Sequence, residues 1–434
     1  MNIPAQSDVV IIGGGPAGSM AATFLAQKGY HVVLLEKQKH PRYMVGESLI
    51  PQFWKYCDLA QVTDKILAEG FVQKQGGTVV WDGVIRQTAF KDFGYTRPAL
   101  HVERDRFDLI LLEHARSQGA HVFEQVTVTD VNLDPGGQVD VTYLPAGEQS
   151  SRRIACRFII DASGQSALIG RKLAIRVHDE EYPFMSVWGY FNNSSYVALD
   201  GRAHAFTELR DTPPTTFVSS TGNWGWCWHI PLRETTSVGL VVPLEQMKTD
   251  KLENEALQAY FLRRCAEIPY LNRLLEPATY CDGSVHMLRP YSYRPKQLCG
   301  PGFFLIGDAA AFIDPVLSEG CLLAMFSAHM AAWTIDRCLR DQGRTADYQA
   351  LFTRQFAGRY QVGHALMLTG YGDAAKVNGA VANSLRFDSE REQELMYVAL
   401  TMAGRAENLL RLVKPGDRQR IAVNRFRTLQ SIDF

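Results

Sequence analysis

The sequence predicts an α/β fold: a parallel sheet with helical crossovers, an antiparallel sheet inserted into it, and a C-terminal helical segment. Three short segments about 150 residues apart carry the first part of that expectation. They are Val9-Val10-Ile11-Ile12-Gly13-Gly14-Gly15-Pro16-Ala17-Gly18, Ile159-Ile160-Asp161-Ala162-Ser163-Gly164 and Phe304-Leu305-Ile306-Gly307-Asp308-Ala309-Ala310. Each begins with β-forming apolar residues and stops at small ones, where backbone amides can approach a dinucleotide. The second observation is a period-2 apolar pattern after residue 172, at Met185, Val187, Gly189 and Phe191 and again at Val238, Leu240 and Val242. The third is the return of a helical pattern after Ile306.

Taken in order, Val9–Ile12 reads as a strand, Gly13-x-Gly15-x-x-Gly18 as a tight turn, and Ser19–Ala26 as the helix that follows. Gly13 permits the turn, Gly15 admits a pyrophosphate, and Gly18 lets helix and strand pack closely, the pattern of a Rossmann-like crossover. His31–Leu35 is the second strand and ends on Glu36, placed for a ribose 2′-hydroxyl and repulsive to a 2′-phosphate. A helix from Arg104 to Gly119 leads into a parallel strand at Ala120–Phe123. Val126–Leu133 and Val139–Tyr143 read as antiparallel partners joined by a turn at 134–137. Ile154–Ile160 returns as one strand into Asp161. Ser318–Cys338 is an apolar helix, and residues 344–434 read as amphipathic, arginine-rich helices. The expected domains are 1–171 with 285–340, a discontinuous dinucleotide domain whose inserted segment 45–100 contributes to the active site; 172–284, an antiparallel-sheet substrate domain; and 341–434, C-terminal helices.

The bulk numbers exclude some classes. A formal charge of −1, a pI near 6.8 and no long basic run argue against nucleic acid as a partner. Eight cysteines lack a C-x-x-C pair or metal-like spacing, so they read as reduced thiols, and no metal is expected. No 18-residue apolar run and no leader-like N-terminus is found, so a soluble, cytoplasmic protein without a membrane span is expected.

Three further motifs give the chain a family resemblance. Pro41-Arg42-Tyr43-Met44-Val45-Gly46-Glu47-Ser48-Leu49-Ile50-Pro51, Trp226-Cys227-Trp228-His229-Ile230-Pro231 and Phe71-Val72-Gln73-Lys74-Gln75-Gly76-Gly77-Thr78-Val79-Val80-Trp81 resemble segments of the FAD-dependent halogenases. These are flavoprotein monooxygenases of the para-hydroxybenzoate hydroxylase type, related to the geranylgeranyl reductases. The resemblance covers nearly all of residues 7–340. It implies a Rossmann-like FAD-binding domain and FAD held by Gly13, Gly15, Ala17, Gly18, Glu36, Arg42, Gly46, Glu47, Ser48, Arg104, Asp161, Gly164, Gly307, Asp308, Pro315 and Gly320. Arg42 is expected at the FAD phosphates or ribose and Asp308 at the ribityl chain. A helix starting near Pro315 would turn its amides toward the flavin.

For activity, the resemblance implies that reduced FAD, delivered by a separate flavin reductase, reacts with O2 and oxidises chloride or bromide to hypohalous acid. Lys74 would receive the halogen, either by donating a hydrogen bond or as a haloamine, and pass it to a phenol, pyrrole or indole in natural-product biosynthesis. Trp226 and Trp228, two residues apart on a strand, project to one face and would form a flat apolar barrier between flavin and substrate. The aromatic substrate is expected free or tethered to an acyl or peptidyl carrier protein, which Arg405, Arg411, Arg418 and Arg420 could meet. Glu319 departs from the family pattern, which has Ser or Thr there, and a carboxylate beside bound chloride repels it unless it points away or is protonated. The Glu319-Gly320 pair resembles the geranylgeranyl reductases. A non-halogenating flavin monooxygenase or reductase is therefore the alternative enzyme, and a flavin-binding protein without turnover a third reading.

Overall fold

A computed structural model of the chain describes residues 2–402 and 425–434, apart from 82, 134–138, 179–183, 223, 251–255, 289–291, 372–386 and 388. The opening segment forms strand β1 (Val9–Ile12), helix α1 (Pro16–Gln27) and strand β2 (Val32–Glu36). All three are almost wholly buried, which is why their sequences run apolar rather than alternating. β1 pairs in parallel with β2 on one side and with Phe158–Asp161 on the other. The complete sheet has the order Cys299–Gly300, Phe303–Leu305, Phe158–Asp161, β1, β2, His121–Glu124, parallel except for the first edge strand. The three small-residue segments thus end on three adjacent parallel strands, and their loops meet at one sheet edge, where ligands bind in open α/β sheets.

Two expectations about strands change. Ile154–Ile160 is not one strand: Arg152–Cys156 closes a three-stranded antiparallel sheet with Val126–Asn132 and Val139–Pro145, while Phe158–Asp161 belongs to the parallel sheet. The change of sheet falls at Arg157, where the Asp8 carbonyl accepts the amides of both Arg157 and Phe158. The turn predicted at 134–137 lies outside the described residues. The inserted sheet is also not purely antiparallel, nor confined to 172–284. Strands Phe184–Asn192, Thr236–Pro243, Trp226–Pro231 and Thr215–Ser220 pair antiparallel, but Thr215–Ser220 then pairs in parallel with Gly76–Trp81. Val84–Ala89 and Arg427–Leu429 continue the sheet, so the chain's end is a strand where helix was expected. Arg405, Arg411, Arg418 and Arg420 lie outside the described residues.

The predicted period-2 sets hold register, with Met185 opposite Val242, Val187 opposite Leu240 and Gly189 opposite Val238. Their apolar side chains pack behind the sheet in one core, with Phe217, Tyr260 and Phe261. A larger core lies on the other face and runs through β1, α1 and the apolar helix Gly320–Arg340, and Trp226, Trp228 and Ile230 belong to it. The sheet therefore separates a purely structural face from the face that meets the dinucleotide-type loops.

Candidate functional site

Those loops border one large cavity of about 690 Å³, within the usual range for cofactor sites. Gly13, Gly15, Ala17, Glu36, Arg42, Gly46, Glu47, Ser48, Arg104, Gly164, Asp308, Pro315, Glu319, Gly320, Trp226 and Trp228 all line it. Four expected residues do not, each for a visible reason. Gly18 is a packing glycine: a Cβ there would sit 1.9 Å from the Gly13 carbonyl oxygen. Gly307, at φ +54°, packs against Ala17, and its amide donates to Ser327 Oγ at 2.9 Å. Asp161 accepts the amides of Ser163 (3.0 Å) and Ile169 (2.7 Å) on its two carboxylate oxygens, so it braces the loop from behind the cavity. Lys74 lies one hydrogen bond behind the cavity wall, at Ser48.

The dinucleotide end fits FAD. Gly15 has nothing nearer to an added Cβ than Arg42 Nη2 at 3.4 Å, so its main chain faces the cavity as a pyrophosphate requires. The helix α1 starts there, with Pro16 at its first position, and presents its N-terminal amides. Glu36 is buried and accepts the Gly14 amide at 2.6 Å and the Gln38 amide at 2.8 Å, which fixes its carboxylate beside the turn. Asp108 organises the opposite side. It takes Arg104 through both oxygens (2.9 and 3.1 Å) and lies 3.2 Å from Arg42 Nη1. Arg104 in turn donates to the Val45 carbonyl at 2.7 Å, which ties the 42–48 loop down. At the third loop, burial raises the Asp308 carboxyl to about 6.

The predicted helix start at Pro315 is corrected. Pro315–Leu317 is a single 3₁₀ turn, capped by Asp314 Oδ1 on the Val316 amide (2.9 Å), and the α-helix begins at Gly320. Ser318, in the left-handed conformation between the two, turns its hydroxyl to Ser48 Oγ at 3.0 Å.

Lys74 ends the short strand Val72–Lys74, paired with Ala99–His101. Although a lysine, it is only 4% exposed. Its Nζ donates to Ser48 Oγ at 2.8 Å and to the Leu49 carbonyl at 2.9 Å, and it lies 5.5 Å from the Phe90 ring centre. Burial without an acidic partner lowers its pKa to about 7.

Trp226 and Trp228 share a face, as their spacing requires, with ring centres 5.9 Å apart and planes inclined by 51°. The wall is therefore stepped rather than flat. Trp228 has room because its cross-strand partner is Gly239, where a Cβ would fall 2.1 Å from the indole. Trp228 Nε1 donates to Ser237 Oγ at 3.2 Å. Glu319 lies at the foot of its helix, with Oε1 3.5 Å from Arg359 Nη2 on the C-terminal helix Thr345–Tyr371. Arg359 also pairs with Glu392 of the helix Glu390–Met402. Burial raises the Glu319 carboxyl to about 7, against the opposing pull of Arg359.

Sequence reasoning missed several lining residues. Tyr43 receives a hydrogen bond from Trp188 Nε1, lies 3.1 Å from the Tyr190 hydroxyl, stacks on His286 at 4.4 Å, and belongs to an aromatic cluster at the exposed end of the 42–48 loop. The Tyr190 hydroxyl also lies 2.6 Å from Glu47 Oε1, while burial raises the Glu47 carboxyl. Tyr43 occupies a variable position of its motif, and Trp188 read as an ordinary strand residue, so neither carried a local signal. Arg359, too, was hidden in a helix that looked merely amphipathic. Among the described residues no cluster of three or more acidic, histidine or cysteine side chains could hold a metal, and no helix is long and apolar enough to cross a membrane.

Comparison with known proteins agrees with this geometry. A family model described as an FAD binding domain matches residues 6–351. The tryptophan 2-halogenase of Chondromyces crocatus is 33% identical over 362 residues, covering 83% of this chain and 67% of that protein. The flavin-dependent halogenase armH1 of Armillaria mellea is 34% identical over 355 residues, 78% of this chain and 66% of that one. The chain thus spans about two thirds of the length of these relatives. Among solved structures, the myxobacterial chondrochloren halogenase CndH, described as a new variant of FAD-dependent halogenases, matches with a TM-score of 0.76 at 30% identity, covering 93% of this chain and 91% of that one. CmlS, a flavin-dependent halogenase, matches with the same score and identity over 91% of this chain and 72% of that one.

Proposed function

We propose that this chain, which belongs to the FAD-dependent halogenase family, uses O2 and chloride or bromide to halogenate an electron-rich aromatic ring: a phenol, pyrrole or indole of natural-product biosynthesis. It is an FAD-dependent oxidoreductase of the para-hydroxybenzoate hydroxylase-like fold. The observation that carries the proposal is the setting of Lys74, a buried ammonium with a pKa near 7, held by Ser48 at the cavity wall beside the dinucleotide loops. Such an amine is poised to donate a hydrogen bond to hypohalous acid or to capture its halogen.

Bound FAD, when reduced, supplies the activation of O2 that oxidises the halide. The chain supplies the rest. Gly13–Gly18 and the start of α1 hold the pyrophosphate, Glu36 the ribose, Arg42 the phosphate side, Asp308 the ribityl chain, and Pro315–Gly320 the ring edge. The stepped Trp226 and Trp228 wall excludes water and keeps the aromatic substrate apart from the flavin, so that only a small oxidised halogen species crosses to Lys74. Glu319 need not bar the anion: burial favours its protonated form, and its carboxylate lies 3.5 Å from Arg359, a cation it shares with Glu392.

The tryptophan 2-halogenase among the relatives supports an aromatic substrate of indole size, and we propose that it is taken free or tethered to an acyl or peptidyl carrier protein. Reduced FAD that diffuses from a separate flavin reductase would complete the cycle. The cysteines described are all unpaired, and seven of the eight are buried, which suits a reducing cytoplasm. The test is incubation of the protein with FAD, a flavin reductase, NADH, O2 and bromide, with monochlorodimedone or a panel of phenols, pyrroles and indoles, read by mass spectrometry. Brominated product that requires bromide supports the proposal. Flavin reoxidation with no halogenated product from any substrate class would favour a non-halogenating monooxygenase or reductase.

A further inference from the structure

Lys74 stands at one end of a chain of buried hydrogen bonds that the proposed halogen transfer does not use. Ser48 Oγ, which receives Lys74 Nζ, lies 3.0 Å from Thr216 Oγ1, and Thr216 Oγ1 lies 2.8 Å from His101 Nε2. His101 Nδ1 lies 3.0 Å from the Pro231 carbonyl, the last residue of the tryptophan motif. All four side chains are buried, and His101 is entirely so.

The valences of these groups allow one arrangement for a neutral imidazole. Pro231 O can only accept, so Nδ1 carries the hydrogen and Nε2 is a bare acceptor. The single hydroxyl hydrogen of Thr216 is then committed to Nε2, and its oxygen accepts from Ser48. Ser48 has its own hydrogen committed to Thr216, which leaves its two lone pairs for the two donors beside it, Lys74 Nζ at 2.8 Å and Ser318 Oγ at 3.0 Å. Burial and the nearby Lys74 charge both hold His101 well below its ordinary value, which keeps the imidazole neutral.

We propose that His101, acting through Thr216 and Ser48, is a positioning residue: it fixes the direction of the hydrogen-bond chain so that Ser48 presents only acceptors to Lys74. The ammonium then spends two N–H groups on Ser48 and the Leu49 carbonyl and keeps one for a ligand. If His101 were protonated, Nε2 would donate to Thr216 and both hydroxyls would reverse, turning a hydrogen of Ser48 toward its former donors. A charged His101 would therefore leave Ser48 one lone pair instead of two for Lys74 and Ser318. The other groups around the chain do not compete. Phe90 and the Leu49 carbonyl are neutral, the Glu47 carboxylate is bound by Tyr190 and the Gly46 amide, and buried His229, held to about 3, is neutral.

This inference rests on Lys74 being the halogen-delivering group, but its test does not need halogenation. The FAD-loaded protein would be labelled with trace acetic anhydride across the pH range, and the acetylation of Lys74 followed by peptide mass spectrometry to obtain its pKa. Thr216→Val and His101→Leu remove the fixed acceptor, so the Lys74 pKa should fall by about one unit, the scale of one hydrogen bond to a charged group. Thr216→Ser and His101→Gln should restore it, because a glutamine amide can donate to Pro231 O and accept from Thr216 as the neutral imidazole does. An unchanged Lys74 pKa in Thr216→Val and His101→Leu that retain flavin absorbance would overturn the proposal. So would His101→Gln behaving like His101→Leu. If the shifts occur but no variant nor the parent makes halogenated product, the chain stands and the catalytic reading of Lys74 falls.

Discussion

At the scale of single residues, the site is built by side chains whose charge is shaped by burial. Glu36 is the clearest of the proposed binding residues, because it grips the Gly14 amide at 2.6 Å from a buried position and so orders the turn where a pyrophosphate would lie. Glu36→Ala should weaken FAD binding by about tenfold or more, the cost of a charged hydrogen bond. Titration of the apo-protein with FAD, followed by flavin fluorescence, checks it, and an unchanged Kd would place the ribose contact elsewhere. Glu319 yields a pH prediction. Its folded carboxyl titrates at about 7 against an ordinary 4.5, so the unfolded chain loses this proton first. Its stability contribution is therefore complete below pH 4.5 and is lost as pH rises through 7. Glu319→Gln has no such proton to lose. Its Tm relative to the parent should rise by a few degrees between roughly pH 5 and pH 8, and a difference independent of pH would show that the carboxyl is ionised throughout. Residues such as Gly13, Gly15 and Glu36 were legible in the sequence because their roles are local, a turn and the strand end beside it. Lys74 was legible only through its motif, since its burial depends on Ser48 and on the strand ending at His101, both brought to it by tertiary pairing.

At the scale of elements, the strand Trp226–Pro231 divides its side chains between two cores. Its tryptophans face the cavity side, while Cys227 packs behind the sheet and His229, on that same alternate set of positions, bonds Ser194 Oγ at 2.7 Å. Alternation made that division predictable, but the tilt of the rings was not, because it is set by the neighbouring strand. Gly239 is the element that makes room for Trp228. Gly239→Ala should push the indole from its place at a cost of about 1–3 kcal/mol, and it should lower the Tm and the yield of halogenated product together. A variant with parental Tm and product yield would mean that the wall tolerates displacement of Trp228. The break at Arg157 was hidden for a similar reason: apolar residues flank it on both sides, at 154–156 and 158–160, and only the Asp8 carbonyl, far away in sequence, turns the chain from one sheet to the next.

At the scale of the whole molecule, the chain arranges three loops of a parallel sheet, a loop from residues 42–48, a wall from the inserted sheet and a charged strut from the C-terminal helices around one cavity. The parallel sheet and the order of its three loops were readable because each motif announces its own strand and turn. The recruitment of Gly76–Trp81, Val84–Ala89 and Arg427–Leu429 into the inserted sheet was not, since those pairings join segments up to about 340 residues apart. Nor was the contact between Arg359 and Glu319, which alters how the departure at Glu319 is understood: the carboxylate that looked hostile to halide is met by a cation from a distant helix. The proposed function nevertheless turns on one amine in this assembly. The most direct measurement is the halogenated product formed per O2 consumed by the FAD-loaded parent and by Lys74→Ala, with a flavin reductase, NADH and bromide. The parent should convert a measurable share of its O2 into brominated aromatic product. Lys74→Ala should keep its FAD and O2 consumption while product falls at least a hundredfold; product undiminished in that variant would contradict the account.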